Sequence, residues 1–148
     1  MPHVDGATVA EVTSVLNSAM QAMDDGDGAA FASAFTQDGT LTVRVSGARA
    51  CGPAQLAAFC RGLKQRFPGT MHVEANVVVT AIDGETGLKE PPSGARVVRN
   101  RSYWFALAAG GVSSCGEHRD VLVQASADQP WRIASRLITH SFVNAAKL

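Results

Sequence analysis

The second half of the chain holds four long strand-like segments joined by turns alone, and this order limits the fold more than any other feature. The segments are rich in β-branched and aromatic residues and cover 71–82, 95–108, 112–125 and 131–143. Gly110-Gly111 is typical of a tight hairpin, and Asp83-Gly84 and Pro91-Pro92 indicate a turn or hairpin end. Because no helical segment separates these strands, the order predicts an antiparallel meander rather than a parallel sheet.

Helical segments precede this meander. The first covers 9–23 and carries one apolar stripe, formed by Val12, Val15, Leu16, Ala19, Met20 and Met23. Gly26 ends this helix, and Asp27 is placed to cap a second, short helix over 28–35. A third helix begins at Gly52-Pro53, with proline at its first position.

One strand interrupts the helical half. It covers 40–45 and follows a turn over 37–39. The complete order is three helices interrupted by one strand, then the meander. This order predicts a single α+β domain over 1–148, with the helices packed on one face of the sheet.

Composition narrows the classes of partner. The 148 residues are 46% apolar, and thirteen basic residues balance thirteen acidic ones. A balanced charge without a basic cluster argues against a nucleic-acid partner, and no segment is long and apolar enough to span a membrane. Three cysteines without C-x-x-C spacing favour neither a disulfide framework nor a zinc site, and thiols that need no pairing suit a reducing compartment, so we expect a cytoplasmic protein without a metal site.

Several short motifs follow one another along the chain. The run from Ala22 to Asp27 is followed by Phe31 and by Phe35-Thr36-Gln37-Asp38-Gly39, and a later strand begins with His72-Val73-Glu74-Ala75-Asn76. Further motifs lie at 101–104, 116–120 and 131–136. Their order resembles the SnoaL-like family of the nuclear-transport-factor-2-like superfamily, in which the first run is similar to the opening, H-x-x-x-N starts a strand, and the last three motifs match the closing strands. The resemblance implies a cone-shaped, curved antiparallel sheet backed by three N-terminal helices, a hydrophobic pocket in the cone and a homodimer.

The resemblance also implies chemistry. Relatives include scytalone dehydratase, bile acid dehydratases, polyketide cyclases and ketosteroid isomerase, but also members without catalysis, so the fold alone leaves the function open. The dehydratases use a His–Asp pair as general base and acid, and the matching positions are His72 and Asp24. Helical periodicity agrees, because it puts Asp24 at the edge of the buried stripe and Asp25 on the far side. The alternative for Asp24 is an exposed carboxylate at a helix end.

Strand alternation around His72 raises a conflict. It puts His72, Glu74 and Asn76 on one face, while the opposite face is apolar, with Met71, Val73, Ala75, Val77 and Val79. An apolar face usually lies in the core, which would leave His72 on the surface. Either the apolar face is a dimer interface, or a bulge changes the faces part way along the strand. The dimer is the interpretation that we favour.

Other residues complete the predicted site. His118 and Asp120 share one face of their strand, and His118 is a third catalytic candidate, with a hydrogen-bonded structural pair as the alternative. The candidates for substrate binding are Met20, Phe59, Asn76, Tyr103 and Trp104. The sequence departs from the dehydratases at Ala19, where many of them carry tyrosine. His140 is predicted to lie on the surface.

Three functions fit these residues. The first is a cofactor-free, dehydratase-like lyase or isomerase acting on a small apolar carbonyl compound, with His72 as base, Asp24 as its orienting partner, and His118 or Tyr103 as the donor to the developing oxyanion. The second is a non-catalytic module that binds a small ligand or mediates oligomerisation, which Ala19 favours. The third, ranked last, is the small subunit of a ring-hydroxylating dioxygenase.

Overall fold

The computed structural model describes residues 3–82, 86–88, 91 and 93–144. Its helices are α1 (Gly6–Asp25), α2 (Gly28–Ser33) and α3 (Gly52–Arg66). Its strands are β1 (Phe35–Val43), β2 (Arg49–Cys51), β3 (Met71–Ala81), β4 (Arg96–Ala108), β5 (Gly111–Gln124) and β6 (Arg132–Val143). The predicted turn residues Asp83, Gly84 and Pro92 lie outside the described residues. The α+β order of the sequence is therefore present, with β2 as an additional short strand.

The six strands form one curved, unclosed sheet in the order β2-β1-β6-β5-β4-β3. Strands β3 to β6 form the predicted antiparallel meander. Strand β1 pairs parallel with β6, so the sheet is mixed, and this pair is the exception to the antiparallel arrangement that we expected. The predicted turn over 37–39 instead lies inside β1, where the register shifts between Phe35 and Thr40.

Local capping fixes both ends of α1. The side chain of Asp5 accepts the Thr8 N–H at 2.7 Å at the start of the helix. Gly26 closes the helix with φ +70°, a left-handed conformation that favours glycine. Asp27 then caps α2 by accepting the Ala30 N–H at 3.0 Å, as predicted. These caps hold Asp24 in the last turn of α1.

The core lies between the helices and the concave face of the sheet. The predicted stripe of α1 is buried except for the partly buried Val15, and Val12, Leu16 and Ala19 are fully inaccessible. It packs in one cluster with aromatic and aliphatic side chains that include Phe31, Phe35, Leu41, Leu56, Leu122, Trp131 and Ile133. At about 25 cal/mol for each Å² of buried apolar surface, this cluster is the main source of stability.

A bulge in β3 resolves the conflict of the two faces. The register with β4 shifts between Ala75 and Val78, and Asn76 has φ +53°. Before the bulge, His72 and Glu74 point to the helices, whereas Val77 and Val79 pack against the core after it. Strict alternation was therefore wrong beyond Glu74, because the extra residue reverses the faces. The bulge, rather than the dimer interface that we favoured, therefore explains how His72 and the later valines can all point inward.

Candidate functional site

A cavity of about 350 Å³ lies between the helices and the sheet. Its wall is mostly apolar, and it includes Met20, Phe59 and Trp104 from the predicted substrate-binding set. Tyr103 and Asn76 do not line it. Tyr103 follows the opposite pleat of β4 and is 39% exposed, and Asn76 is exposed on the bulge. These two residues therefore do not belong to the site, for reasons of strand geometry.

His72 and Asp24 meet at the wall of this cavity. The Nδ1 atom of His72 lies 2.7 Å from Oδ1 of Asp24. The backbone N–H of His72 is 3.0 Å from both carboxylate oxygens of Asp24. This double contact joins the end of α1 to the start of β3 and fixes the plane of the ring. Because a carboxylate accepts the Nδ1 proton, Nε2 is the nitrogen left for a ligand.

His118 forms a second histidine–carboxylate pair, deeper in the protein. Its Nδ1 lies 3.0 Å from both carboxylate oxygens of Glu74, and both side chains are almost inaccessible. Burial lowers the pKa of His118, and the nearby Arg136 charge lowers it further, although Glu74 opposes both effects. His118 also lines the cavity. The lowered pKa favours the neutral imidazole, and the Glu74 carboxylate then favours the tautomer with the proton on Nδ1, which leaves Nε2 as an acceptor.

Glu74 is the member of these two pairs that the sequence did not predict as a site residue. Burial alone would raise the pKa of Glu74, but the His118 hydrogen bond and the charge of Arg136 outweigh it and hold the pKa below its ordinary value. Ser102 donates a short hydrogen bond to the same carboxylate. The available signal was its position two residues after His72, on the same face of β3, before the bulge.

A buried polar network supports Glu74 from behind. Arg136 forms a two-point ion pair with Asp120, at 2.8 and 3.0 Å. Asn100 donates to Ser102 and to Asp120, both at 2.9 Å, and Ser102 continues the chain to Glu74. The side chains of this ion pair are both fully buried in the sheet. Such a connected network holds Glu74, and through it His118, in one orientation.

His140 also lines the cavity, so its predicted surface position was wrong. Its ring packs edge-on against Trp104, with centroids 4.9 Å apart. The Nδ1 atom is buried without a hydrogen-bond partner among the described residues, and burial lowers the pKa of His140. Strand β6 ends beside the mouth of the cavity, which brings this residue inside although it lies near the end of the chain.

The arrangement is suited to proton transfer. A carboxylate orients His72 and His118 at Nδ1, so through Nε2 His72 can accept a proton and His118 can accept a hydrogen bond. The tautomer of His118 makes it an acceptor, which does not agree with its predicted role as donor to an oxyanion. Within the described part of the chain, no three His, Cys, Asp or Glu residues come together as a metal ion would require.

Among the helices that the structure describes, none combines the length and apolar character needed to cross a bilayer.

Comparisons with known proteins agree with this fold. None of the curated proteins matches the chain. Many solved structures do match. ActVI-ORFA from Streptomyces coelicolor is 22% identical, with a TM-score of 0.71 over 95% of this chain and 99% of that one.

Two further structures show the same fold. An NTF2-like protein with a cystatin-like fold from Novosphingobium aromaticivorans is 22% identical, with a TM-score of 0.69 over 93% of this chain and 84% of that one. A Catenulispora acidiphila protein in complex with S-DNPA is 23% identical, with a TM-score of 0.68 over 92% and 95%. A family model described as the SnoaL-like domain matches residues 7–137. The chain therefore belongs to the SnoaL-like domain family.

Proposed function

We propose that this protein is a cofactor-free lyase or isomerase that acts on a small, largely apolar carbonyl compound. The observation that carries this proposal is the 2.7 Å contact between His72 Nδ1 and Asp24 Oδ1 at the wall of the cavity. The apolar wall suits an apolar substrate, and it excludes water from the reacting atoms. The complex of a SnoaL-like neighbour with S-DNPA is consistent with a small ligand in this fold.

His72 acts as the general base in this proposal. Its Nε2 removes a proton from the carbon next to the carbonyl group, and the electron pair of that C–H bond moves into an enolate. The Asp24 carboxylate stabilises the imidazolium that forms. The same imidazolium then returns the proton, either to a leaving hydroxyl group in an elimination or to another carbon in an isomerisation.

His118 has a different part in the proposal. As a neutral acceptor at Nε2, it orients a hydroxyl group of the substrate through a hydrogen bond. The Glu74 carboxylate keeps the proton of His118 on Nδ1, so the two residues act as one unit. This role needs no change of charge at the buried His118, in agreement with its lowered pKa.

Proton exchange tests the base directly and needs no knowledge of the natural substrate. We expect the protein to accelerate exchange of the α-protons of 1-tetralone in D2O above the buffer rate, followed by NMR. His72→Ala should reduce the catalysed rate by about 100-fold, the lower end of what a positioned base contributes. Tyr103→Phe is the control and should leave the rate unchanged, because Tyr103 lies outside the cavity.

The second candidate function is a non-catalytic module that binds a small ligand. Ala19 is buried where many related dehydratases carry tyrosine, and the phenol of Tyr103 is outside the cavity. The described wall therefore has no phenol to polarise a carbonyl group. Ketones that raise the melting temperature without any accelerated exchange would favour this binding function and contradict the lyase or isomerase.

We also propose that the outer face of the sheet pairs with a second copy of the chain. A row of apolar side chains crosses four strands in register, formed by Val73, Phe105, Cys115 and Phe142. Met71 beside it is 62% exposed. Val73→Arg combined with Phe142→Arg should convert a dimer to a monomer in light scattering, whereas a monomeric wild type would contradict the proposal.

The free cysteines suit a reducing compartment such as the cytoplasm.

A further inference from the structure

The charges at the wall of the cavity have one sign. Among the described residues that line it, Lys64 and Arg66 carry formal charges and no aspartate or glutamate is present. The whole chain, in contrast, has equal numbers of basic and acidic residues. The carboxylates of Asp24 and Glu74 stand behind His72 and His118 and are engaged by them. The surface that a ligand meets is therefore apolar with a positive side.

Lys64 is held at this surface by specific contacts. Its Nζ donates to the backbone oxygen of Asp24 at 2.6 Å, which uses one of its three N–H groups. Its stem crosses Gly26, and a Cβ atom at Gly26 would lie 2.8 Å from Cγ of Lys64. Within the described part of the chain, neither Lys64 nor Arg66 has a carboxylate within 4.0 Å, the ion-pair distance. Lys64 thus retains donors for a ligand.

The cations and the apolar surface lie at different depths. Lys64 is half-buried and Arg66 is exposed, at the end of α3 beside the mouth. Trp104, Ala106 and Ile138 line the same cavity and are buried. A ligand that satisfies both parts has an apolar body for the interior and one anionic group for the mouth.

We propose that Lys64, assisted by Arg66, binds the carboxylate of an otherwise apolar ligand, and that this contact directs the apolar end of the ligand toward Trp104. The inference names the substrate class of the function proposed above and rests on the same cavity. It does not rest on the proton transfer by His72, because equilibrium binding requires no reaction. The ligand is therefore an apolar carboxylic acid, and the lysine determines its orientation.

A matched pair of probes tests the proposal. 2-Naphthoate and 2-naphthamide have the same two-ring body, and only the acid is charged at neutral pH. We expect the wild type to bind 2-naphthoate about five- to tenfold more tightly than the amide in isothermal titration calorimetry, as for a half-buried, charge-assisted hydrogen bond. Raising NaCl from about 0.1 to about 1 M should weaken only the acid, because the Debye length falls from about 10 to about 3 Å.

Substitutions on α3 show which side chain causes the preference for the acid. Lys64→Met should abolish the preference for the acid while binding of the amide persists, and Lys64→Arg should keep the preference. Arg61→Gln removes an equal charge from α3 outside the lining and is the matched control. Arg66→Gln should reduce the preference by less than Lys64→Met and does not disturb the Asp24 contact.

Three results would overturn the proposal. They are equal affinity for acid and amide in the wild type, an unchanged preference in Lys64→Met, and failure of the wild type to bind 2-naphthoate. The outcome is separable from the exchange test. An intact acid preference in a protein that does not accelerate exchange would refute the lyase or isomerase and support the carboxylate site.

Discussion

The two histidine–carboxylate pairs differ in burial, although their chemistry is the same. In the outer pair, the side chains of His72 and Asp24 are 15% and 19% exposed, and they join the end of α1 to the start of β3. In the inner pair, His118 and Glu74 are 2% and 0% exposed and both belong to the sheet. A partly exposed imidazole can change its charge during a reaction at low cost, whereas a buried one cannot. This difference supports our proposal that the outer pair transfers the proton and the inner pair orients the substrate.

The largest expected effect compares the removal of each carboxylate. Glu74→Ala leaves the buried Ser102 and His118 without an acceptor and the Arg136 charge less balanced, so we expect a loss of about 3–5 kcal/mol in unfolding free energy. Asp24→Ala removes partly exposed hydrogen bonds and should cost about 1–2 kcal/mol. Urea denaturation of both variants measures the difference. Equal losses would show that the pairs do not differ in the way described.

The next effect is the pH dependence of the unfolding free energy, to which we expect the inner pair to contribute. The pKa of His118 in the folded protein lies below its ordinary value of 6.5, so protonation favours the unfolded chain. Its contribution is fully present above about pH 6.5 and is lost as the pH falls through the folded pKa, with a slope of up to about 1.4 kcal/mol per pH unit. The pKa of Glu74 is also lowered, so its contribution to the unfolding free energy is likewise lost as the pH falls below 4.5, the ordinary pKa of a glutamate.

Chemical denaturation between about pH 7.5 and 5 measures this slope. His118→Asn should be less stable than the wild type and should depend less steeply on pH. His140 has a pKa lowered by burial and contributes with the same sign, so His140→Asn is compared in parallel. An unchanged slope in His118→Asn would contradict the assignment of the neutral form to His118.

A smaller effect should follow from Gly26→Ala and should reach only the outer pair. The new Cβ would lie 2.8 Å from Cγ of Lys64, and the φ of +70° is unfavourable for alanine. We expect a loss of about 1 kcal/mol in unfolding free energy and a weaker acid preference in ligand binding. Gly94→Ala, also at positive φ but with open space around it and away from the cavity lining, is the control for the effect of positive φ alone. An equal loss of acid preference in Gly94→Ala would contradict the role of Lys64.

The smallest effect is expected for Asn76→Gly, at the bulge that follows Glu74 in β3. Asn76 has φ +53°, which glycine adopts without strain, so Asn76→Gly should change stability by less than about 0.5 kcal/mol. Asn76→Val should cost about 1–2 kcal/mol, because a β-branched residue is strained there. Thermal melts compare the two. A neutral valine variant would show that the bulge does not depend on this backbone conformation.

Most of the fold could be predicted from the sequence, because local chemistry determines it. The cap at Asp27, the break at Gly26 and the meander after residue 70 all follow from residue type and spacing. The parallel pairing of β1 with β6 could not be predicted from the sequence, since it joins segments almost one hundred residues apart and has no turn signal between them.

Less of the candidate site could be predicted from the sequence. Periodicity placed Asp24 correctly at the edge of the buried stripe, and the pair with His72 came from the family resemblance. The bulge at Asn76 has no strong sequence signal, so alternation assigned the wrong faces to the second half of β3. Glu74 reads as an ordinary strand residue until the fold brings His118 to it. Long-range pairing, rather than residue type, creates the inner pair.

The most direct measurement of the central claim is the tautomer of the two imidazoles, read from ring 15N NMR shifts at about pH 8, where a free imidazole is neutral. We expect His72 and His118 both to carry the ring proton on Nδ1, toward Asp24 and Glu74, and to present an unprotonated Nε2 to the cavity. A proton on Nε2 of His72 would contradict its role as base, and a proton on Nε2 of His118 would contradict its role as acceptor.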